Sequence, residues 1–265
     1  MSKDLIKEES TNELILGEVN AMEGLEDMDM SSLSIPRIKL LQATSPEVQA
    51  DEYRDLNLRA GDIIDGLTKE KIGAEIVPVK VLPTSNVLFV PRNEDGVAAL
   101  RARKPDITDE ELKTPGGIIC SARDGVNGSL YGSCATCGLC KFIGNSKPVC
   151  NRALNLLVLT NLGPMVLPFR DTSMKHGNKL YSILRAKASM GTPMQTLKFK
   201  LNPIKKQAGS QQWYELNVLP AGTVDQATYT MARELYNAYK DVSIDTSEPV
   251  DTNTSVETNE DKEIL

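Results

Sequence analysis

All five cysteines of the chain fall within 31 residues, and the stretch "CATCGLC" from Cys134 to Cys140 spaces three thiols at Cys-x2-Cys intervals. A structural zinc site takes four thiolates in a closed tetrahedron and commonly contains a Cys-x2-Cys pair. Cys134 and Cys137 form such a pair, and the glycine that follows lets the turn close around a metal. The spacing predicts one structural Zn2+, with the ligands Cys134, Cys137, Cys150 and either Cys120 or Cys140.

The fourth ligand is open between two cysteines. Cys120 ends the apolar run at 117–119, so two flanking segments could present Cys120 and Cys150 opposite the pair. Cys140 is the alternative, because Cys137-Gly-Leu-Cys140 is itself a pair of the same spacing. We favour Cys120.

Three other interpretations of the cluster are weaker. Ferredoxin runs place a further cysteine after three residues and before a proline, whereas Cys150 lies far off and follows Pro148. Zinc deaminases need a His-x-Glu and a Pro-Cys-x2-Cys motif, but the sole histidine, His176, is followed by Gly and Asn. Buried cysteines without a metal are the simplest alternative. We predict a structural centre, not a catalytic one.

The net charge of −6 conceals a segregation along the chain. Residues 1–34 and 241–265 each carry −7, whereas residues 115–220 hold 13 Lys or Arg against three acids. Lys and Arg contacts to phosphates supply most non-specific affinity for nucleic acids, so this basic excess predicts a polyanion-binding surface. A solvated basic face is the alternative.

The bases of this segment recur on several predicted elements. They are Arg170, Lys175, Lys179, Arg185, Lys187, Lys198, Lys200, Lys205 and Lys206. Single-stranded nucleic acid also needs flat side chains on which bases stack. The candidates are Trp213, on the polar face of its strand, and Tyr131 and Phe142, which a zinc ion would hold beside the basic surface. With twelve aromatic residues in all, we expect weak sequence preference.

Apolar periodicity indicates which elements must position these residues. Strands are predicted at 72–82, 86–90, 154–160, 164–169, 195–202 and 213–219, and amphipathic helices at 173–188 and 224–240. This pattern predicts an α+β, mostly β fold with an OB-like barrel core. The cysteine-rich zinc module is an insertion at 117–152.

Composition divides the chain into three parts. Residues 1–34 are predicted to be an acidic, partly disordered arm, residues 35–240 an OB-like nucleic-acid-binding domain, and residues 241–265 a disordered acidic tail. The chain begins without an export signal, and its most apolar run, 153–169, is interrupted by Asn, Gly and Pro. We therefore expect a cytoplasmic protein with no membrane segment. The tail could compete for the basic surface or dock partner proteins.

Five stretches resemble a family of tailed-phage proteins that bind single-stranded DNA or act in replication. They are "IPRIKLLQATSPEV", "AGDIIDGLT", "CSARDG", "DTSMKHGNKLYSIL" and "QQWYELNV", spread over residues 35–240. The resemblance implies an OB-like core, a zinc module with Cys120 as a ligand, and an acidic C-terminus that recruits replication, recombination or transcription proteins. Cys140 departs from the family pattern and keeps the fourth ligand open.

These observations predict a non-catalytic phage protein that binds single-stranded DNA in replication or recombination. The first alternative is a single-stranded-DNA-binding transcription cofactor that recruits a phage RNA polymerase through the same surface. A zinc-dependent nuclease and a structural virion protein are the alternatives from other classes. No histidine or carboxylate cluster at motif spacing supports an enzyme.

Overall fold

The computed structural model describes residues 35–91, 93–114, 117–144, 148–242 and 244. The predicted arm at 1–34 and nearly all of the predicted tail at 241–265 lie outside these residues. The described part is a mixed α+β fold, mostly β, built on one large antiparallel sheet. No helix within it is long and apolar enough to cross a membrane.

All six predicted strands and both predicted helices are found, among further elements that were not predicted. The strands are β1 (Ile38–Leu40), β2 (Ile63–Asp65), β3 (Glu75–Val81), β4 (Ser85–Phe89), β5 (Ile118–Ala122), β6 (Asn127–Gly128), β7 (Gly132–Ser133), β8 (Asn151–Thr160), β9 (Gly163–Arg170), β10 (Leu197–Ala208) and β11 (Gln211–Thr223). The helices are α1 (Pro46–Gln49), α2 (Glu94–Arg103), α3 (Cys134–Cys137), α4 (Met174–Ser189) and α5 (Gln226–Tyr239). Short 3-10 helices lie at Asp51–Leu56, Glu111–Lys113, Asp171–Ser173 and Met194–Thr196.

Strand β8 is central to the large sheet. One edge pairs with β9, and the other pairs first with β4, through Asn151 to Ala153, and then with β3, through Leu156 to Leu159. Strands β3 and β4 therefore follow one another along the same edge of β8. β5 pairs with the outer edge of β4, while β10 pairs with the outer edge of β3 and continues to β11.

A side-chain amide connects the two ends of this arrangement. The chain before β1 forms a parallel bridge to β9, and β1 pairs with β2. Just after β1, the Nε2 of Gln42 donates to the carbonyl of Tyr214 at 3.0 Å, and its Oε1 accepts from the Tyr214 amide at 2.8 Å. Among the described residues the backbone ladders do not close into a ring, so the OB-like barrel stays a prediction.

The main apolar core lies on the inner face of these strands, with α4 packed against it. Leu180 and Leu184 of α4 are buried there with Phe169 of β9 and Phe199 of β10. A Cβ atom on Gly177 would lie only 2.7 Å from the Cβ of Phe169, so the helix reaches this distance because the residue is glycine. The packing fixes the first turn of α4 beside β11.

A buried carboxylate ties β1 to the turn after β2. The side chain of Glu47 is 3% exposed, and its Oε1 accepts from Lys39 Nζ at 2.8 Å and from Lys69 Nζ at 3.3 Å. Burial alone would raise the pKa of Glu47, but the hydrogen bonds from Lys39, Lys69 and the backbone and the charge of Lys39 outweigh it, so the pKa lies below its usual 4.5. The ionised form therefore stabilises the fold.

We predict that Glu47→Gln lowers the free energy of unfolding at pH 7 by about 1 to 3 kcal/mol, because the lysines lose a charged acceptor. Since the folded-state pKa is lowered, this stabilisation is complete above the unfolded pKa and is lost as pH falls from there through the folded-state pKa. Urea unfolding should show the gap to wild type narrowing between pH 7 and pH 3. Glu52→Gln, at an exposed position nearby, is the control with little effect. An equal gap at both pH values contradicts the prediction.

Candidate metal centre and basic surface

All five cysteine side chains line one small cavity, with Asn86, Gly128 and Tyr131 in its wall. The cavity volume is about 10 Å³, close to the room that one water-sized sphere needs. None of the five is in a disulfide. A sulfur-lined space of this size suits a single ion.

Neighbouring strands and a one-turn helix bring the cysteines together. Cys120 lies on β5 opposite Leu88 of β4, and Cys150 directly precedes β8, which pairs with the other edge of β4. Cys134 and Cys137 begin and end α3, which stops at Gly138 with a φ of 75°. The structure thus places Cys120 on β5, Cys150 immediately before β8, and the Cys-x2-Cys pair on α3 between them.

Contacts outside the cavity hold the loop in place. The Arg103 guanidinium of α2 donates to the carbonyl of Gly138 at 3.2 Å and to that of Lys141 at 2.7 Å. Leu139 is buried between them, and its carbonyl accepts from the amides of Val149 and Cys150. The loop is therefore anchored on both sides of Cys140, partly by a helix that the sequence analysis did not predict.

The environment of the thiols differs from one to the next. A Cβ atom on Gly128 would lie 2.8 Å from the sulfur of Cys120, so glycine makes the space that this sulfur occupies. The Cys140 thiol donates to the carbonyl of Cys134 at 3.2 Å. Asn86 donates to the Gly125 carbonyl, while its Oδ1 is buried without a hydrogen-bond partner. Both Cys120 and Cys140 thus stay available as a fourth ligand.

Burial favours the protonated thiol at Cys134 and at Cys150 in the absence of a cation. It raises the pKa of Cys134, and together with the neighbouring thiols it raises the pKa of Cys150 to about 12. Within the described residues no three His, Cys, Asp or Glu side chains are arranged so that they could hold a metal ion. The donor set, the small cavity and the Cys-x2-Cys turn nevertheless fit zinc, once the sulfurs turn toward one point.

The two aromatic residues of the cysteine module (residues 117–152) differ in exposure. The Tyr131 hydroxyl donates to Glu111 Oε1 at 3.2 Å, and Lys104 Nζ lies 4.7 Å from the ring centroid. Because the ring also lines the cavity, its position favours packing over base stacking. Phe142 is 69% exposed and keeps a free surface.

The predicted basic surface is centred on the hairpin of β10 and β11. The two strands pair from Leu197 to Ala208, but β3 pairs with β10 at Phe199 and Lys200, so residues 203–216 continue as a two-stranded ribbon. Lys198 and Lys200 alternate with the buried residues of β10, and Lys206 shares their outer face by the two-residue period of the strand. Trp213 lies opposite Lys206 on this outer face. We call the outer face of β10 and β11, with Lys175 of α4, the basic face.

The remaining predicted bases lie elsewhere around this surface. Lys205 lies opposite Tyr214 on the inner face of the ribbon. Lys179 follows Lys175 by one helical turn, Arg185 and Lys187 lie on opposite flanks of the exposed side of α4, and Arg170 ends β9. Their part in one continuous surface stays a prediction.

Sequence reasoning did not assign a role to Glu215. Its carboxylate is buried at the basic face, where Lys175 Nζ lies 2.7 Å and His176 Nε2 3.2 Å from Oε2. The Trp213 indole donates to Oε1 at 3.4 Å. Burial would raise the pKa of Glu215, but these three partners outweigh it and hold the pKa below its usual value. The available signal was its place two residues from Trp213 on the same strand face.

The strand registers separate the cysteine module from the ribbon. β3 and β4 run in one line along β8, with β5 and the cysteines at the β4 end. β10 runs antiparallel to β3 and carries the ribbon past Glu75, at the other end of this line. The expected position of Tyr131 and Phe142 beside the basic surface is therefore not found.

Comparisons with known proteins bear on the N-terminal half only. The family model described as Pam3 phage gp34-like protein matches residues 8–115. This part of the chain is similar to a phage protein family, and it includes the "IPRIKLLQATSPEV" and "AGDIIDGLT" stretches. The match covers less than half of the 265 residues and ends before the first cysteine. No curated protein and no solved structure matches the chain.

We predict one zinc ion per purified chain, lost in Cys137→Ser. If Cys120 is the fourth ligand, Gly128→Ala should weaken zinc affinity about 10- to 100-fold, because the added methyl displaces the Cys120 sulfur. Competition with a chromophoric chelator measures this affinity, with Val126→Ala, at an exposed position of the module, as the control.

The double variant Cys120→Ser with Gly128→Ala tests whether Gly128→Ala weakens zinc binding through the Cys120 sulfur. It should bind zinc no more weakly than Cys120→Ser alone. Unchanged affinity in both Gly128→Ala and Cys120→Ser assigns the fourth position to Cys140, and a wild-type protein free of metal contradicts the zinc centre itself.

Proposed function

We propose that this protein is a non-catalytic, single-stranded-DNA-binding protein of phage replication or recombination. The proposal rests on one observation: the fold brings lysine side chains of β10 and α4 close to the aromatic ring of Trp213 on β11. Lys206 and Trp213 are cross-strand neighbours, and Lys175 of α4 reaches the same carboxylate as the Trp213 indole. The basic face thus combines the two features that single-stranded nucleic acid requires.

The shape of the basic face favours a single strand over a duplex. Lys198 and Lys206 are eight residues apart on β10, a row of roughly 27 Å at the rise of a β-strand. A row of lysines can follow one phosphate backbone, while the half-buried Trp213 lies beside it for a base. An OB-like arrangement of the sheet, which we propose with Gln42 spanning its gap, presents strand faces to oligonucleotides in this way.

Zinc has a separate part in this proposal. It would stabilise the cysteine module, which lies at the far end of the β3–β4 line from the ribbon. Loss of the metal should therefore disturb the module more than the lysines of β10. Phe142 would contribute to a second, independent contact.

Fluorescence anisotropy with labelled single- and double-stranded oligonucleotides over a range of salt concentrations tests this function. We expect tighter binding to the single strand, and we expect Lys206→Ala to make the salt slope shallower by about 0.7 for one lost phosphate contact. Trp213→Ala should cost about 1 to 3 kcal/mol of binding free energy.

Lys113→Ala is the matched control, because it removes the same charge at an exposed position outside the basic face. Its salt slope should equal that of the wild type. Equal affinity for duplex, binding without salt dependence, or metal-dependent cleavage of the oligonucleotide contradicts the proposed function.

A further inference from the structure

Glu215 is an acid in the middle of a surface proposed to bind a polyanion. Only two other acids, Asp124 and Asp171, occur among residues 115–220. A carboxylate at such a place repels phosphate and lowers affinity. Its contacts indicate what it does instead.

We propose that Glu215 is a positioning residue of the nucleic-acid site, which holds the Trp213 indole in one orientation for base stacking. This inference rests on the proposed function and names a further residue of the same site. The carboxylate side chain is 4% exposed and both of its oxygens are occupied. Oε1 accepts from the indole N–H, while Lys175 and His176 fix Oε2.

The two ends of this contact differ in mobility. A tryptophan side chain rotates about two bonds, and an indole at an exposed ribbon samples several rotamers unless its N–H is held. The acceptor is rigid because Lys175 and His176 belong to the first turn of α4, which packs against the core. Glu215 therefore fixes the indole relative to α4. An indole with one fixed orientation loses less conformational entropy when a base stacks on it.

A purely structural role, joining α4 to β11, is the alternative. Other contacts already perform that function. The Ser173 hydroxyl accepts from the Leu216 amide at 2.9 Å, and Gly177 lets α4 pack directly on Phe169. The helix should stay docked without the carboxylate, so Glu215 variants can be tested in a folded protein.

Glu75 provides a matched control on the same face. It pairs with Lys198 at 3.1 Å, as Glu215 pairs with Lys175, but its partner is a strand lysine and the side chain is 58% exposed. Removing either carboxylate changes the charge of the basic face equally. If charge alone matters, both variants should bind single-stranded DNA more tightly.

We expect opposite signs from the two variants. Glu75→Ala should bind a labelled single-stranded oligonucleotide up to about twofold more tightly, because one repulsive charge is gone. Glu215→Ala should bind about fivefold to tenfold more weakly despite the same charge change, since the indole is no longer held for stacking. Glu215→Gln should restore binding, because its amide oxygen still accepts from the indole N–H.

Trp213 is the sole tryptophan, so its fluorescence reports the orientation directly in the free protein. Glu215→Ala should lower the steady-state anisotropy of Trp213 and increase its quenching by acrylamide, whereas Glu215→Gln should not. Trp213→Phe keeps a ring but has no N–H, so it should bind as weakly as Glu215→Ala. This variant also tests the inference if Glu215→Ala fails to fold.

The possible results distinguish a failure of the proposed function from a failure of the positioning role of Glu215. Wild-type protein that does not bind the oligonucleotide overturns the proposed function and, with it, the assignment of Glu215 to a nucleic-acid site. Glu215→Ala that binds as tightly as Glu75→Ala, or that leaves the Trp213 anisotropy unchanged, overturns the positioning role alone.

Discussion

The structure depends on one buried amide at the break between β3 and β4. Asn155 lies fully buried in the middle of β8, and its Nδ2 donates to the Pro83 carbonyl at 3.1 Å and to the Ser85 hydroxyl at 3.2 Å. The backbone carbonyl of Asn155 accepts hydrogen bonds from the Leu82 amide and from the Tyr181 hydroxyl. Buried backbone groups at a strand break must find partners, and this residue supplies them for the Leu82 amide and the Pro83 carbonyl.

The Asn155 contacts explain why the cysteine module and the basic face lie at opposite ends of the β3–β4 line. The break lets β3 and β4 follow one edge of β8 in succession, so β4 can pair with β5 while β3 pairs with β10. The first pairing carries Cys120 toward Cys150, and the second carries the lysines of β10. The Tyr181 hydroxyl extends the same contact to α4, whose first turn reaches Glu215. A change at Asn155 would therefore affect both regions.

The sequence predicted the features that depend on the local alternation and spacing of residues. Alternation placed Lys198 and Lys200 opposite the buried Phe199, and the thiol spacing selected the residues that line the cavity. It missed α2, because Leu100 is the one fully buried side chain of that helix and no apolar stripe marks it. It also placed the cysteine loop beside the basic surface, since the relation between them depends on strand registers that connect distant residues. Gln42 and Glu215 act through individual side-chain contacts, and the periodicity of apolar residues does not predict such contacts.

A protein with a negative net charge can bind a polyanion only where the electrostatic potential at its surface is locally positive. At physiological ionic strength the Debye length is about 8 Å, so charges beyond that distance contribute little at an exposed surface. The segments 1–34 and 241–265 together carry a net charge of −14, which exceeds the whole net charge of −6. What decides affinity at the basic face is therefore the balance within it, where Lys175 offsets Glu215 and Lys198 offsets Glu75. Lys200 and Lys206 then supply the local excess of positive charge, and Glu215 costs little electrostatically at the position where we propose that it orients Trp213.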